Sequence, residues 1–156
     1  MTDLSIPATG PVPAVPVAAV PVAAVDASIT IAGETRSRVA LTQASVELLR
    51  SLWDEHGPLM FHQSGGCCDG SSPMCFPAGE FITSDQDVLL GRLGIAPAGD
   101  PEQSIDFWIS AEQFEYWSHT RLVIDVVKGR GGGFSAEAPR GVRFIIRSEL
   151  MESFGA

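Results

Sequence analysis

Between Gln43 and His56 the apolar residues Val46, Leu49 and Trp53 recur at i, i+3 and i+7, with Leu48 and Leu52 beside them, while Glu47, Arg50, Asp54 and Glu55 take the other side. That period predicts an amphipathic helix. Thr42 is placed to cap its N-terminus, and Gly57-Pro58 stops it. Downstream the period shortens. Leu59-Met60-Phe61-His62-Gln63, Phe81-Ile82-Thr83, Asp87 to Leu93 and Ile105-Asp106-Phe107-Trp108-Ile109 read as strands, followed by a short Ser110-capped helix over Ala111 to Ser118 with Phe114 and Trp117 facing the core. Leu122 to Val127 and Val142 to Ile146 complete the strand pattern, and Ser28-Ile29-Thr30-Ile31 reads as a short edge strand. A helix first, many short strands and one late helix predict an α+β domain with a mixed or antiparallel sheet.

Residues 1–27 break this pattern. They hold five of the eleven prolines, and a Pro-Val-Ala-Ala-Val unit occurs twice, at Pro16 and at Pro21. Proline at this density removes ladder donors, and Ala and Val offer little side chain for a core, so 1–27 is expected to be a disordered arm. The compact domain is then 28–148, and 149–156 a C-terminal tail.

With 156 residues the chain has room for one core, and a formal charge of −9 argues against nucleic acid or an anionic membrane surface as partner. No apolar run reaches the ~20 residues of a bilayer crossing. The first residues show no basic segment followed by an apolar one, so the cytoplasm is the expected compartment, where thiols stay reduced and a structural disulfide is disfavoured.

The chemistry concentrates in Phe61 to Phe76, which holds all three cysteines, Cys67, Cys68 and Cys75, together with His62, on a backbone loosened by Gly65, Gly66 and Gly70. Thiolates and a neutral imidazole suit zinc, copper(I) or iron–sulfur chemistry. The expected ligands are Cys67, Cys68, Cys75 and His62, and the expected cofactor is a transition metal, zinc or iron, or an iron–sulfur cluster. Three ligands from this set would leave an open position, which His119 or a solvent or substrate group could close. A second reading needs no metal: a thiolate stabilised by glycine amides, resolved by Cys75, would make a thiol-redox or sulfur-relay protein. In a third, the cysteines are buried small hydrophobes. Asp69 is read as a turn organiser, His56 as a helix-end residue, and Trp53, Phe107, Trp108, Phe114 and Trp117 as core.

The element order over residues 39–146 resembles the A-type iron–sulfur carrier (HesB-like) fold. The resemblance rests on the strand and capped helix from Val39 to His56, the Gly65-Gly66-Cys67 loop, the strand–helix–strand from Trp108 to Asp125, and Gly133-Phe134 with Ala138-Pro139. Those carriers place two further ligands in a Cys-x-Cys near the C-terminus, and Pro139 to Arg143 has no cysteine. Cluster transfer by that ligand set is therefore excluded.

A closer resemblance is to a bacterial domain-of-unknown-function family whose genes often lie beside those of NAD-dependent aldehyde dehydrogenases. It is carried by His62-Gln63-Ser64-Gly65-Gly66-Cys67-Cys68-Asp69-Gly70-Ser71-Ser72-Pro73-Met74-Cys75, by Phe107-Trp108-Ile109 and by Gly132-Gly133-Phe134-Ser135, within residues 40–148. The resemblance implies an accessory role in aldehyde or alcohol oxidation, with an aldehyde dehydrogenase as partner. Beside the metal-binding and thiol readings of the loop, a non-catalytic interaction domain for that enzyme is a further expectation. Self-association into a homo-oligomer stays open.

Overall fold

A computed structural model describes residues 22–63, 71–129 and 134–151. In chain order its elements are β1 (Val25–Asp26), β2 (Val39–Leu41), α1 (Gln43–His56), β3 (Leu59–Gln63), β4 (Met74–Pro77), β5 (Asp87–Gly94), β6 (Ser104–Ser110), α2 (Ala111–Tyr116), β7 (Thr120–Lys128), a 3-10 turn (Ala138–Arg140) and β8 (Val142–Leu150). The α+β class expected from the sequence is what the chain adopts.

The helices begin and end where the capping chemistry puts them. The Thr42 side chain accepts from the Ser45 amide, and Gly57, at φ 80°, turns the chain out of α1 while its amide donates to the Trp53 carbonyl. Ser110 caps α2 in the same way through the Gln113 amide. α1 is fixed to the sheet as well as capped, since the buried Ser45 hydroxyl donates to the Ile124 carbonyl at 2.7 Å.

The single expected sheet is two, each of four strands and each mixed. One has the order β1-β2-β7-β8, the other β4-β3-β6-β5. β2 pairs parallel to β7, and β3 parallel to β6, while the remaining pairs are antiparallel. The free edges meet. The Ser28 amide donates to the Arg92 carbonyl at 2.7 Å, joining the β1 end of the first sheet to β5, and the Ile146 amide donates to the Ser71 carbonyl at 2.7 Å, joining β8 to the approach of β4. The two sheets thus curl around one interior in the manner of a partly closed barrel.

That interior is filled by Val39, Leu41, Leu122, Ile124, Phe144 and Ile146 from the first sheet and by Phe61, Cys75, Leu93, Ile105, Phe107 and Ile109 from the second, with Val46, Leu49 and Leu52 of α1. Phe61 sits at its centre, 5.0 Å edge-on to Phe144 and 5.4 Å from Phe107 between ring centroids. Fully burying such a ring stabilises by about 1.5–3 kcal/mol. Where the sheets approach, Gly91 leaves no room for a side chain: a Cβ there would lie 2.6 Å from Ala27 Cβ and 2.9 Å from Val39 Cγ1. The β5 register shifts at this point, between Leu89 and Gly91.

The ends of the domain differ from the sequence expectation. Within the expected arm of 1–27, Val25–Asp26 pair with β2 and Ala27 is buried, so residues before 28 take part in the fold; residues 1–21 lie outside the described set. Ser28 makes a single bridge to Arg92 rather than an edge strand. At the other end β8 runs to Leu150, into the expected tail, because Leu122, Arg121 and Thr120 of β7 continue to pair with Ser148, Glu149 and Leu150.

Candidate functional site

The side chains of a strand alternate between faces, and the second sheet shows which residues go which way. Phe61 stands opposite Cys75 and Phe107, while His62 stands opposite Met74 and Trp108. Phe61, Cys75 and Phe107 belong to the interior. His62 therefore projects from the outer face with Met74 and Trp108. The expected ligands Cys75 and His62 lie on opposite sides of one sheet and do not converge.

Cys75 is a core residue. It is fully buried, and its backbone is clamped from both directions: its amide donates to Ser135 Oγ at 2.9 Å and its carbonyl accepts from the Ala136 amide at 2.8 Å. The Ser135 hydroxyl in turn donates to the Glu137 carboxylate at 2.5 Å, and Glu137 also accepts from the Phe144 amide at 3.3 Å. Burial pushes the Cys75 thiol far above its ordinary pKa, and the Glu137 charge pushes it further. Held as a thiol, Cys75 is poorly suited to serve as a thiolate ligand or attacking nucleophile.

His62 has the opposite character. Its side chain is 3% exposed, and Nε2 lies 2.7 Å from Asp87 Oδ1. Asp87, at the start of β5, is positioned by its own turn: its second oxygen accepts from the Ser84 amide at 3.0 Å, and its amide donates to the Ser84 carbonyl at 3.1 Å. Burial raises the Asp87 pKa, but the hydrogen bonds from His62 and Ser84 and the proximity of the imidazole outweigh it, so the carboxyl titrates below its ordinary value. An ionised carboxylate only accepts, so Nε2 carries the hydrogen, and in the neutral ring the lone pair is on Nδ1. That atom is buried and has no hydrogen-bond partner among the described residues. Asp87 escapes a sequence reading because it is 25 positions from His62 and only the β3–β6–β5 pairing brings them together.

The Phe81 ring packs over the imidazole at 4.1 Å between centroids and continues to Phe76 at 5.4 Å. Phe81-Ile82-Thr83, expected as a strand, is instead part of an irregular crossing between β4 and β5 that covers the outer face, entered through Gly79 at φ 95°. Beside His62 this crossing and the sheet enclose a groove of about 400 Å³, walled by Met60, Phe81, Ile82 and Trp108 among others. Trp108, expected in the core, is a groove residue; Phe107 and Trp117 are in the core, with Trp53 and Phe114 packed against it.

Cys67, Cys68 and Asp69 lie outside the described residues. Among those described, no group of three or more His, Cys, Asp or Glu side chains is arranged to hold a metal ion. His56 ends α1 with Nε2 3.7 Å from Glu55, and the His119 carbonyl accepts from the Met151 amide at 2.8 Å. No described helix is long and apolar enough to cross a membrane.

The molecule is an α+β domain of two curled mixed sheets that carries a buried, carboxylate-oriented histidine on its outer face. The chain belongs to the family described as Domain of unknown function (DUF779), which it matches over residues 48–150. No curated protein and no solved structure matches it.

Proposed function

We propose that the protein is a metal-binding accessory domain in which Nδ1 of His62 is the anchoring ligand and the thiolates of Cys67 and Cys68 supply further donors. The observation that carries the proposal is the unpartnered, buried Nδ1, with Asp87 fixing the opposite nitrogen. A buried acceptor left without a partner costs about 1–3 kcal/mol, and a metal-ligating histidine is commonly held by a carboxylate at its other nitrogen. Cys67 and Cys68 follow His62 by five and six residues in the chain. Imidazole and thiolate together suit zinc, iron or an iron–sulfur cluster, and a bound ion there would act as a Lewis acid or a redox centre according to its identity.

The donor set proposed is smaller than the sequence suggested, because Cys75 faces the interior. The same fact weakens the thiol-relay alternative, which loses its resolving cysteine. The likeness to A-type carriers contributes the idea of a thiolate centre following a strand, and the family resemblance contributes an aldehyde-oxidising enzyme as the partner served. The reducing cytoplasm is the proposed setting, since thiolates remain available there.

Metal analysis of protein purified aerobically and anaerobically tests the proposal. Wild type and Cys75→Ser are expected to take up close to one equivalent of zinc or iron, or a cluster, and His62→Ala and the Cys67→Ser/Cys68→Ser double variant to lose it, with folding followed by circular dichroism. Less than about half an equivalent in both wild-type preparations, with no uptake on reconstitution, rejects it.

A further inference from the structure

The groove beside His62 has a chemical bias of its own. Its walls are mixed, with the apolar and aromatic side chains of Met60, Phe81, Ile82 and Trp108 and the hydroxyls of Thr83 and Ser104. Among the described lining residues one side chain is charged, the carboxylate of Asp106. Ile82 stands 81% exposed at this groove, an apolar side chain that the fold itself does not bury. At about 400 Å³ the groove is in the size range of small-molecule sites.

We infer that this groove binds a small organic ammonium ion with an apolar or aromatic body, held by the Asp106 carboxylate and the Trp108 ring, with Phe81 as an apolar wall. Three features of the groove favour that class. An aromatic face is attracted to a cation and not to an anion. The only described charge in the lining is negative, and the chain as a whole carries −9. Asp106 is engaged only lightly, by Arg92 Nε at 3.1 Å, and the Arg92 side chain is itself 57% exposed. A surface pair of that kind holds its partners by no more than about a fivefold preference, so a ligand ammonium can displace it. A neutral ligand of the same shape would gain the aromatic walls without the carboxylate; a carboxylate ligand would meet Asp106 as a like charge.

The site does not depend on a metal at His62, and the test keeps the two apart. The full chain, with chelator present throughout, is titrated with benzylamine, benzyl alcohol and benzoate, three probes of similar body that differ in charge. Binding is located by the Trp108 indole resonance in 1H–15N spectra. Benzylamine is expected to bind at least about tenfold more tightly than benzyl alcohol, the benefit of one good charge contact, and benzoate to leave Trp108 unmoved. Asp106→Asn should erase the preference for the amine while leaving benzyl alcohol unchanged. Arg92→Ala should strengthen benzylamine binding up to about fivefold by freeing the carboxylate. The inference is overturned if the alcohol binds as well as the amine, if Arg92→Ala weakens the amine, or if no probe shifts Trp108 at about 10 mM.

Discussion

Replacing Asp87 with asparagine should change the proton on His62 without changing the shape of the site. In the wild type one carboxylate oxygen accepts from His62 Nε2 at 2.7 Å and the other from the Ser84 amide at 3.0 Å. Asparagine has one oxygen, so it cannot accept at both ends. Kept on Ser84, the oxygen leaves the amide NH2 facing Nε2; the ring then accepts there, and its hydrogen moves to Nδ1. The charge-assisted bond, nearly dry with side chains 3% and 10% exposed, is exchanged for a neutral one, so about 1–1.5 kcal/mol of stability goes with the change. If Nδ1 is a ligand, its lone pair is now occupied by hydrogen, and metal affinity should fall by about 10–100-fold, equivalent to roughly 1.4–2.7 kcal/mol. Long-range 1H–15N spectra of histidine-labelled protein read the tautomer directly, and a competition titration with a zinc chelator reads the affinity. A folded Asp87→Asn protein that keeps hydrogen on Nε2 and binds zinc as the wild type does would refute the reasoning.

Two further outcomes test the scaffold. Gly91→Ala introduces a Cβ 2.6 Å from Ala27 Cβ and 2.9 Å from Val39 Cγ1, so overpacking should cost about 1–3 kcal/mol and lower Tm by roughly 3–12 °C; an unchanged melt would mean the seam yields freely. Burial raises the Asp125 pKa, but hydrogen bonds from Arg147, the Val126 amide and Thr42 and the Arg147 charge outweigh it, leaving the folded value below the ordinary one. Its contribution is therefore present above the unfolded value of about 3.9 and lost as pH falls through the lower folded value. Asp125→Asn should be less stable than wild type at pH 6 and lose less of its Tm between pH 6 and pH 2.5; parallel losses would contradict this.

What could be read from the chain divides by the range of the interaction. α1 and both caps were legible because Thr42, Ser110, Gly57 and the spacing of Val46, Leu49 and Leu52 act within a few residues. The strands β3, β5, β6, β7 and β8 were legible in position, yet their division into two sheets was not: nothing near Val39 specifies that it will lie beside Leu122. Val25–Asp26 sat in an Ala- and Val-rich arm whose composition argued against a core, but pairing with Leu41 and Ala40 needs only backbone and small side chains. In the site the closeness of His62 and Cys75 in sequence suggested convergence. Strand alternation decides otherwise: Cys75 faces Phe61, the neighbour of His62, and so takes the other side. Asp87 carries no local mark of its partnership with a histidine 25 residues earlier. Phe81 to Thr83 looked like strand by composition and became the cover of a groove through the chain direction set at Gly79.

The topology also governs when each half of the molecule can exist. β3, β4, β5 and β6 all lie between Leu59 and Ser110, so the sheet that carries His62 draws on one continuous stretch of chain. The other sheet sets β1 and β2, near the start, against β7 and β8, near the end. As the polypeptide leaves the ribosome, Val39–Leu41 therefore waits without its parallel neighbour until residues 122–124 have been made, and the interior around Phe61 stays open on that side until Phe144 arrives.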